Sequence, residues 1–261
     1  MMPRWKIFAA LTTLFCIASA PAIAQEDPVG VLPDPCAARK TPDQVPSGEW
    51  KAYILAHDFG DLCHYRTANV DLIKTGRAPR VVFMGDSLTE FWGQQDPSFF
   101  SEGKVNRGIS GQTTSQMLLR FRQDVIMLNP QAVHIMAGTN DVAGNTGPVS
   151  LAQVEGNIAS MAELAKAQGI RVILASVPPA AHFPWRPQLQ PVNTIRALND
   201  WMKSYAATNG FTYVDYFGAM ATADGGMKPG FADDGVHPTK QGYAAMEPLT
   251  DAAIQAVLRS K

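Results

Sequence analysis

Four residue types in this sequence can do chemistry together: Ser87, Asn140, His237 and Asp234, each close to a glycine. Ser87 follows Gly85-Asp86, Asn140 follows Gly138-Thr139, and His237 closes the run Asp234-Gly235-Val236-His237. A serine hydroxyl is a weak nucleophile until a base removes its proton. An imidazole, with an ordinary pKa of about 6.5, can take that proton at neutral pH and later return it to a leaving group. A carboxylate on the second ring nitrogen fixes the tautomer and stabilises the imidazolium. The three-residue spacing favours Asp234 over its neighbour Asp233 as that carboxylate. Charge developing on an attacked carbonyl oxygen needs preorganised donors, each worth roughly 10²–10³ in rate. The backbone N–H groups of Ser87 and Gly108 and the side-chain amide of Asn140 can supply three. The inventory is that of acyl transfer; Ser87 taken alone would equally suit a helix N-cap.

These residues are far apart along the chain, so the elements between them must gather them. Val81-Val82-Phe83-Met84 is a short apolar run of the kind that forms a buried parallel strand. Further strands are predicted at 104–107, 132–137, 170–175 and 211–215. Between them lie helical patterns. One starts at Thr113 or Thr114 with Met117, Phe121 and Val125 on one face, and one is capped by Ser150 and striped by Leu151, Val154, Ile158, Met161 and Leu164. Another is marked by Val192, Ile195, Leu198, Met202 and Tyr205, and a last one runs over 239–258 with Pro248 inside it. Residues 50–74 read as one or two helices broken near Gly60. Alternating strands and helices imply an α/β fold, a parallel sheet covered on both faces. The expected form is flavodoxin-like, three layers α/β/α around five strands in order 2-1-3-4-5; the pattern alone leaves the other common doubly wound order open. All strand carboxyl ends open on one edge, where such sheets bind ligands. There Ser87, the turn Asn106-Arg107-Gly108-Ile109-Ser110-Gly111, the run Gly138-Thr139-Asn140-Asp141 and the segment 233–238 become neighbours.

Gly85-Asp86-Ser87-Leu88, Gly108, Gly138-Thr139-Asn140-Asp141 and Asp234-Gly235-Val236-His237 resemble the four signature blocks of the SGNH (GDSL) hydrolases, in the family's order. The resemblance spans about residues 80–258. In particular the chain looks like bacterial exported esterases related to the catalytic subunits of platelet-activating-factor acetylhydrolase. The resemblance implies Ser87 as nucleophile, His237 as base, Asp234 as its orienting acid, and Ser87, Gly108 and Asn140 as oxyanion donors. It supports the 2-1-3-4-5 order, favours short acyl groups such as acetyl, and implies no metal and no organic cofactor. A carbohydrate acetyl ester is the expected substrate. Two other readings use the same scaffold. A thioesterase or lysophospholipase would prefer acyl chains beyond eight carbons, and a non-catalytic carbohydrate-binding protein would bind glycans without hydrolysis.

The loop 178–187 follows the fourth strand onto the same edge and is stiffened by prolines, so His182, Phe183 and Trp185 are expected to line the substrate pocket. His134, mid-strand, reads as a packed core residue, and Asp141 as an anchor for its own loop.

The chain has 261 residues and a net charge of −1. Arg4 and Lys6, an apolar stretch over 7–18 and Ala22-Ile23-Ala24 make a secretory signal peptide over 1–24. An extended arm over 25–48 and a hydrolase domain over 49–261 are expected to follow, in a periplasmic or secreted protein. Removing the leader takes two basic residues and no acidic ones, so the mature chain is mildly acidic. It lacks the clustered basic face that nucleic acid requires. No later run is long enough for a membrane span, and no stable membrane anchor is expected. Oligomeric state is not legible. Of three cysteines, Cys16 leaves with the leader; Cys36 and Cys63 form an even pair in an exported chain and are predicted to make a disulfide.

Overall fold

The computed structural model describes residues 34–259; the signal peptide and residues 25–33 of the arm lie outside them. Helices α1 (Trp50–His57) and α2 (Arg66–Lys74) come first, separated at Gly60 as the pattern required. Then follow β1 (Val81–Gly85), α3 (Ser87–Gln95), β2 (Lys104–Gly108), α4 (Thr114–Asp124) and β3 (Ala132–Met136). The second half comprises α5 (Thr139–Val142), α6 (Leu151–Ala167), β4 (Arg171–Ala175), α7 (Val192–Asn209), β5 (Thr212–Val214), α8 (Tyr216–Met220) and α9 (Lys240–Arg259).

The five strands form one sheet in the order β2-β1-β3-β4-β5, parallel throughout. Helices cover both faces, giving the three-layer α/β/α architecture. β1 is central and buried along its whole length, as are β3 and all but the first residue of β4. Their unbroken apolar runs are the cause: a strand with helices on both faces has no solvent side to alternate toward. β5 is two residues shorter than its apolar run, because Asp215 leaves the ladder to cap α8, accepting from the Gly218 N–H at 2.7 Å.

A fully buried ion pair, Arg120 with Asp124, sits in this core. Arg120 of α4 is fully buried and donates to Asp124 Oδ2 (3.0 Å), the Gly85 carbonyl (2.9 Å), the Arg107 carbonyl (2.9 Å) and Gln112 Oε1 (2.6 Å). A buried cation is tolerated only when its donors are met. Two of these acceptors, the Gly85 and Arg107 carbonyls, lie at and next to the ends of β1 and β2, so one side chain ties both strands where they exit toward the site. His134 is the packed residue the sequence pattern indicated. Its Nε2 pairs with the Tyr216 hydroxyl at 2.9 Å, and burial pulls its pKa down to about 3, so the ring is neutral.

Cys36 and Cys63 are disulfide-bonded, with Cα atoms 5.4 Å apart. Cys63 lies in the connection between α1 and α2 rather than in a helix. The bond, an Arg39–Asp61 ion pair at 2.6 Å and the Lys40 N–H donating to Tyr53 Oη at 3.0 Å tie residues 36–40 down. Pro35 onward falls in one compact unit with the α/β layers.

Candidate active site

The site begins where β1 ends. A Cβ on Gly85 would stand 2.0 Å from Thr89 Oγ1, so only glycine lets α3 start this close to the strand. Asp86 is the N-cap of α3, its carboxylate accepting from the Leu88 N–H at 2.9 Å. Ser87 is therefore the first helical residue rather than the cap. Its N–H points out of the helix start without an acceptor among the described residues, and the side chain retains 7% exposure.

Ser87 Oγ lies 2.9 Å from His237 Nε2, and His237 Nδ1 lies 2.6 Å from Asp234 Oδ2. The second oxygen, Asp234 Oδ1, accepts from the N–H groups of Val236 (2.9 Å) and His237 (2.8 Å). The loop thus folds over its own carboxylate, which explains the three-residue spacing. Burial alone would raise the Asp234 pKa, but the bonds from the His237 ring and the two backbone N–H groups outweigh it and hold the carboxyl below its ordinary range. Side chains 150 residues apart are thereby brought into a single chain of hydrogen bonds.

Asn140, at the start of α5, reaches the same edge. Its amide donates to Asp86 Oδ2 (3.1 Å) and to the Gln112 carbonyl (3.0 Å), and its Oδ1 accepts from Asn145 Nδ2 (2.5 Å). Both amide hydrogens are engaged within the protein. Asp86 is fully buried, and burial drives its pKa up to about 7 against the lowering effect of the Leu88 N–H and of His237, with Asp141 adding to the rise. Asp141 anchors its loop as expected, accepting from the N–H (2.9 Å) and hydroxyl (2.6 Å) of Thr114.

Gly108 stands differently from its expected role. Its N–H donates to Asn106 Oδ1 at 2.8 Å, and its carbonyl accepts from the Tyr65 hydroxyl at 2.5 Å. A Cβ there would meet the Glu90 nitrogen at 2.2 Å, so the glycine is required for close packing of α3 on β2, and its N–H is not a free donor. Three residues on, Gly111 has φ +78°, a Cβ there would meet only Lys51 Nζ, at 3.9 Å, and its N–H has no acceptor among the described residues.

The loop after β4 divides its three expected pocket residues. Trp185 is 39% exposed, and its ring centroid lies 6.0 Å from that of His237. Phe91 of α3 also packs against the imidazole, at 5.3 Å, so His237 is held between two aromatic rings. His182 is exposed and flanks Gly235, where an added Cβ would meet its Cε1 at 3.3 Å. Phe183 is fully buried in the core and does not line a pocket: a bridge to Arg186 turns the loop and points the ring inward. Asn145 was not singled out by the sequence, yet it links the site. It accepts from Trp185 Nε1 at 3.1 Å and donates to Asn140 Oδ1 and, at 3.5 Å, to the Gly111 carbonyl. Among the described residues no cluster of three His, Cys, Asp or Glu side chains is arranged to hold a metal ion.

A parallel 2-1-3-4-5 sheet with a serine, a histidine–aspartate pair and an asparagine amide on its carboxyl edge is the plan of an SGNH-type fold. Residues 83–245 match the GDSL-like Lipase/Acylhydrolase family, and the chain belongs to it. A solved GDSL-like lipase from Bacteroides thetaiotaomicron is 47% identical, covering 76% of this chain and 99% of that one, with a TM-score of 0.72. Esterase TesA of Pseudomonas aeruginosa is 29% identical over 134 residues, 51% of this chain and 60% of TesA. The lipoprotein YqeF of Bacillus subtilis is 38% identical over 78 residues, 29% of this chain and 32% of YqeF. The matched stretch is thus less than two thirds of the length of either of these two relatives.

Proposed function

We propose that this protein is a serine esterase that cleaves short-chain acyl esters, acetyl esters above all, through an acyl-enzyme. The observation that carries the reading is the pair of contacts Ser87 Oγ–His237 Nε2 and His237 Nδ1–Asp234 Oδ2 at 2.9 and 2.6 Å. His237 takes the Ser87 proton as Oγ bonds to the substrate carbonyl carbon, and Asp234 stabilises the imidazolium. The tetrahedral oxyanion collapses, the ester C–O bond breaks, and His237 protonates the departing alcohol. Water, deprotonated by the same imidazole, then attacks the acyl-serine; the carboxylic acid leaves and Ser87 recovers its proton.

For the oxyanion we assign the N–H groups of Ser87 and Gly111 together with the Asn140 amide. Gly111 takes the place expected of Gly108, whose N–H is committed to Asn106. The Asn140 amide turns one of its two hydrogens, which otherwise go to Asp86 and the Gln112 carbonyl, to the oxyanion. An exported, mature chain beginning after Ala24 accords with the Cys36–Cys63 disulfide, since such bonds persist in oxidising compartments. Among the described residues no helix is long and apolar enough to cross a membrane.

Ser87→Ala tests the reading. It should abolish hydrolysis of p-nitrophenyl acetate and covalent labelling by a fluorophosphonate while leaving the circular dichroism spectrum unchanged. Labelling that persists at the wild-type rate places the nucleophile elsewhere.

A further inference from the structure

Two cations near the oxyanion turn have no ion-pair partner among the described residues. Lys51 of α1 lies beside Gly111: its Nζ is 3.9 Å from where a Cβ on that glycine would be. Arg186 lies across the neighbouring loop, its Nη2 3.4 Å from the Gly144 carbonyl. Asn145 joins these two loops, since it touches Gly111, Asn140 and Trp185. Both cations are exposed, and among the described residues neither has a carboxylate within ion-pair distance.

The acids on that wall are already committed. A cavity of about 230 Å³ beside Gly111 is bordered by Trp50, Lys51, Glu90, Ser110 and Asp61. Glu90 Oε2 accepts from the Ser110 N–H at 2.7 Å and from the Ser110 hydroxyl. Asp61 is paired with Arg39 at 2.6 Å and faces His64 at 3.4 Å. The Ser110 bonds leave Glu90 its own charge, but neither acid is ion-paired with Lys51 or Arg186 among the described residues. Burial, and after it Arg186, lowers the Lys51 pKa, so the two cations feel one another. Two cations near one another, neither of them in an ion pair, repel, and a bound anion relieves that repulsion.

We propose that Lys51 and Arg186 bind a carboxylate carried by the substrate, so that the preferred esters are acylated acidic sugars rather than neutral ones. The exposed Trp185 indole, next to both Arg186 and His237, offers the flat apolar face on which a sugar ring packs. This inference rests on the esterase reading and deepens it by naming the charge of the substrate.

The test compares glucuronic acid and glucose, each monoacetylated at the same hydroxyl, with p-nitrophenyl acetate as reference. Two exposed ion pairs together are worth about a tenfold preference in kcat/KM for the uronate ester at low ionic strength. That preference should shrink toward unity at about 1 M NaCl, where the Debye length is about 3 Å. In the variant Lys51→Met/Arg186→Met the ratio of the two sugar esters should fall to about one, and in Lys51→Glu/Arg186→Glu it should invert, favouring the neutral sugar. Hydrolysis of p-nitrophenyl acetate with equal turnover of the two sugar esters, or with turnover of neither, overturns the carboxylate site and leaves the esterase standing. So does a preference that survives in the double methionine variant. Failure to hydrolyse any of the three by wild-type protein overturns the esterase reading, and this inference with it.

Discussion

Replacing Asp234 with asparagine isolates the electrostatic part of the proposed machinery from its geometry. Asp234 accepts three hydrogen bonds, two from backbone N–H groups to Oδ1 and one from the His237 ring to Oδ2. An asparagine oriented to keep Oδ1 in place retains both backbone bonds, so the 234–237 turn should persist and thermal stability should change little. Its Nδ2, however, faces Nδ1 and turns a strong acceptor into a donor. The imidazole must then adopt the tautomer that puts its proton on Nε2, aimed at Ser87 Oγ, and a protonated base cannot accept. A buried carboxylate in this role is worth roughly 10⁴ in kcat. Asp234 is not buried: its side chain is 41% exposed, and water screens the imidazolium once the carboxylate is gone. A hydrogen bond between charged groups contributes about 1.5–3 kcal/mol, which places the loss nearer 10²-fold than 10⁴-fold. The assay is p-nitrophenyl acetate hydrolysis at pH 8, read as kcat and KM separately, alongside thermal unfolding. A kcat within threefold of wild type would refute the assignment of Asp234.

Asn140→Ala should lower kcat by about 10²-fold with KM nearly constant, since an oxyanion donor acts mainly in the transition state; a change confined to KM would remove it from that role. Burial holds the Asp86 pKa at about 7 in the folded chain against about 3.9 unfolded, so the folded state keeps a proton that the unfolded chain has lost. Stability from this group is therefore full below pH 4 and falls as pH rises toward 7, by up to about 1.4 kcal/mol per unit. Melting curves of wild type and Asp86→Asn from pH 4 to 8 should diverge accordingly, and parallel curves would count against it. The disulfide closes a 27-residue separation and should contribute about 3 kcal/mol. Cys36→Ser/Cys63→Ser should then melt about 5–10 °C lower, and a shift under about 2 °C would show that the ion pairs at Asp61 hold the segment unaided.

Apolar runs and spacing carried most of the architecture because β1, β3 and β4 are buried on both faces, leaving little else those residues could do. The same logic marked His237 and Asp234, whose spacing follows from a turn folded over its own carboxylate. It failed where neighbours in space decide. Gly108 sits at a strand end in the sequence pattern, but β2 extends through it, and the Asn106 side chain curls back onto its N–H. Its glycine identity reflects the nearness of Glu90, a contact no local pattern reveals. Phe183 and Trp185 are two positions apart in a loop, where composition gives no inside or outside. The bridge from Phe183 to Arg186 sends one ring into the core and leaves the other over the imidazole. Asn145 and Lys51 are ordinary in their own segments and acquire meaning only when α1 and the loop after β3 come together at Gly111.

What makes these separate segments agree in position is the buried guanidinium of Arg120. Its bonds reach the Gly85 carbonyl before Ser87, the Arg107 carbonyl at the end of β2, and Gln112, whose own carbonyl holds Asn140. A hydrophobic side chain of equal volume would fill the space, and replacing a buried ion pair in this way is often neutral or stabilising. It would take one donor from each of the Gly85 and Arg107 carbonyls, the first of which still accepts from the Ile109 N–H at 3.1 Å, at a cost of about 1 kcal/mol per lost bond. It would also free the 108–112 turn to move relative to α3. Relieving those penalties requires the strand ends to find water, and that means opening the edge on which Ser87, Asn140 and His237 meet. The guanidinium is thus better understood as the part that sets the spacing between nucleophile and oxyanion donors than as a source of stability, since it bonds the Gly85 and Arg107 carbonyls and Gln112 at once.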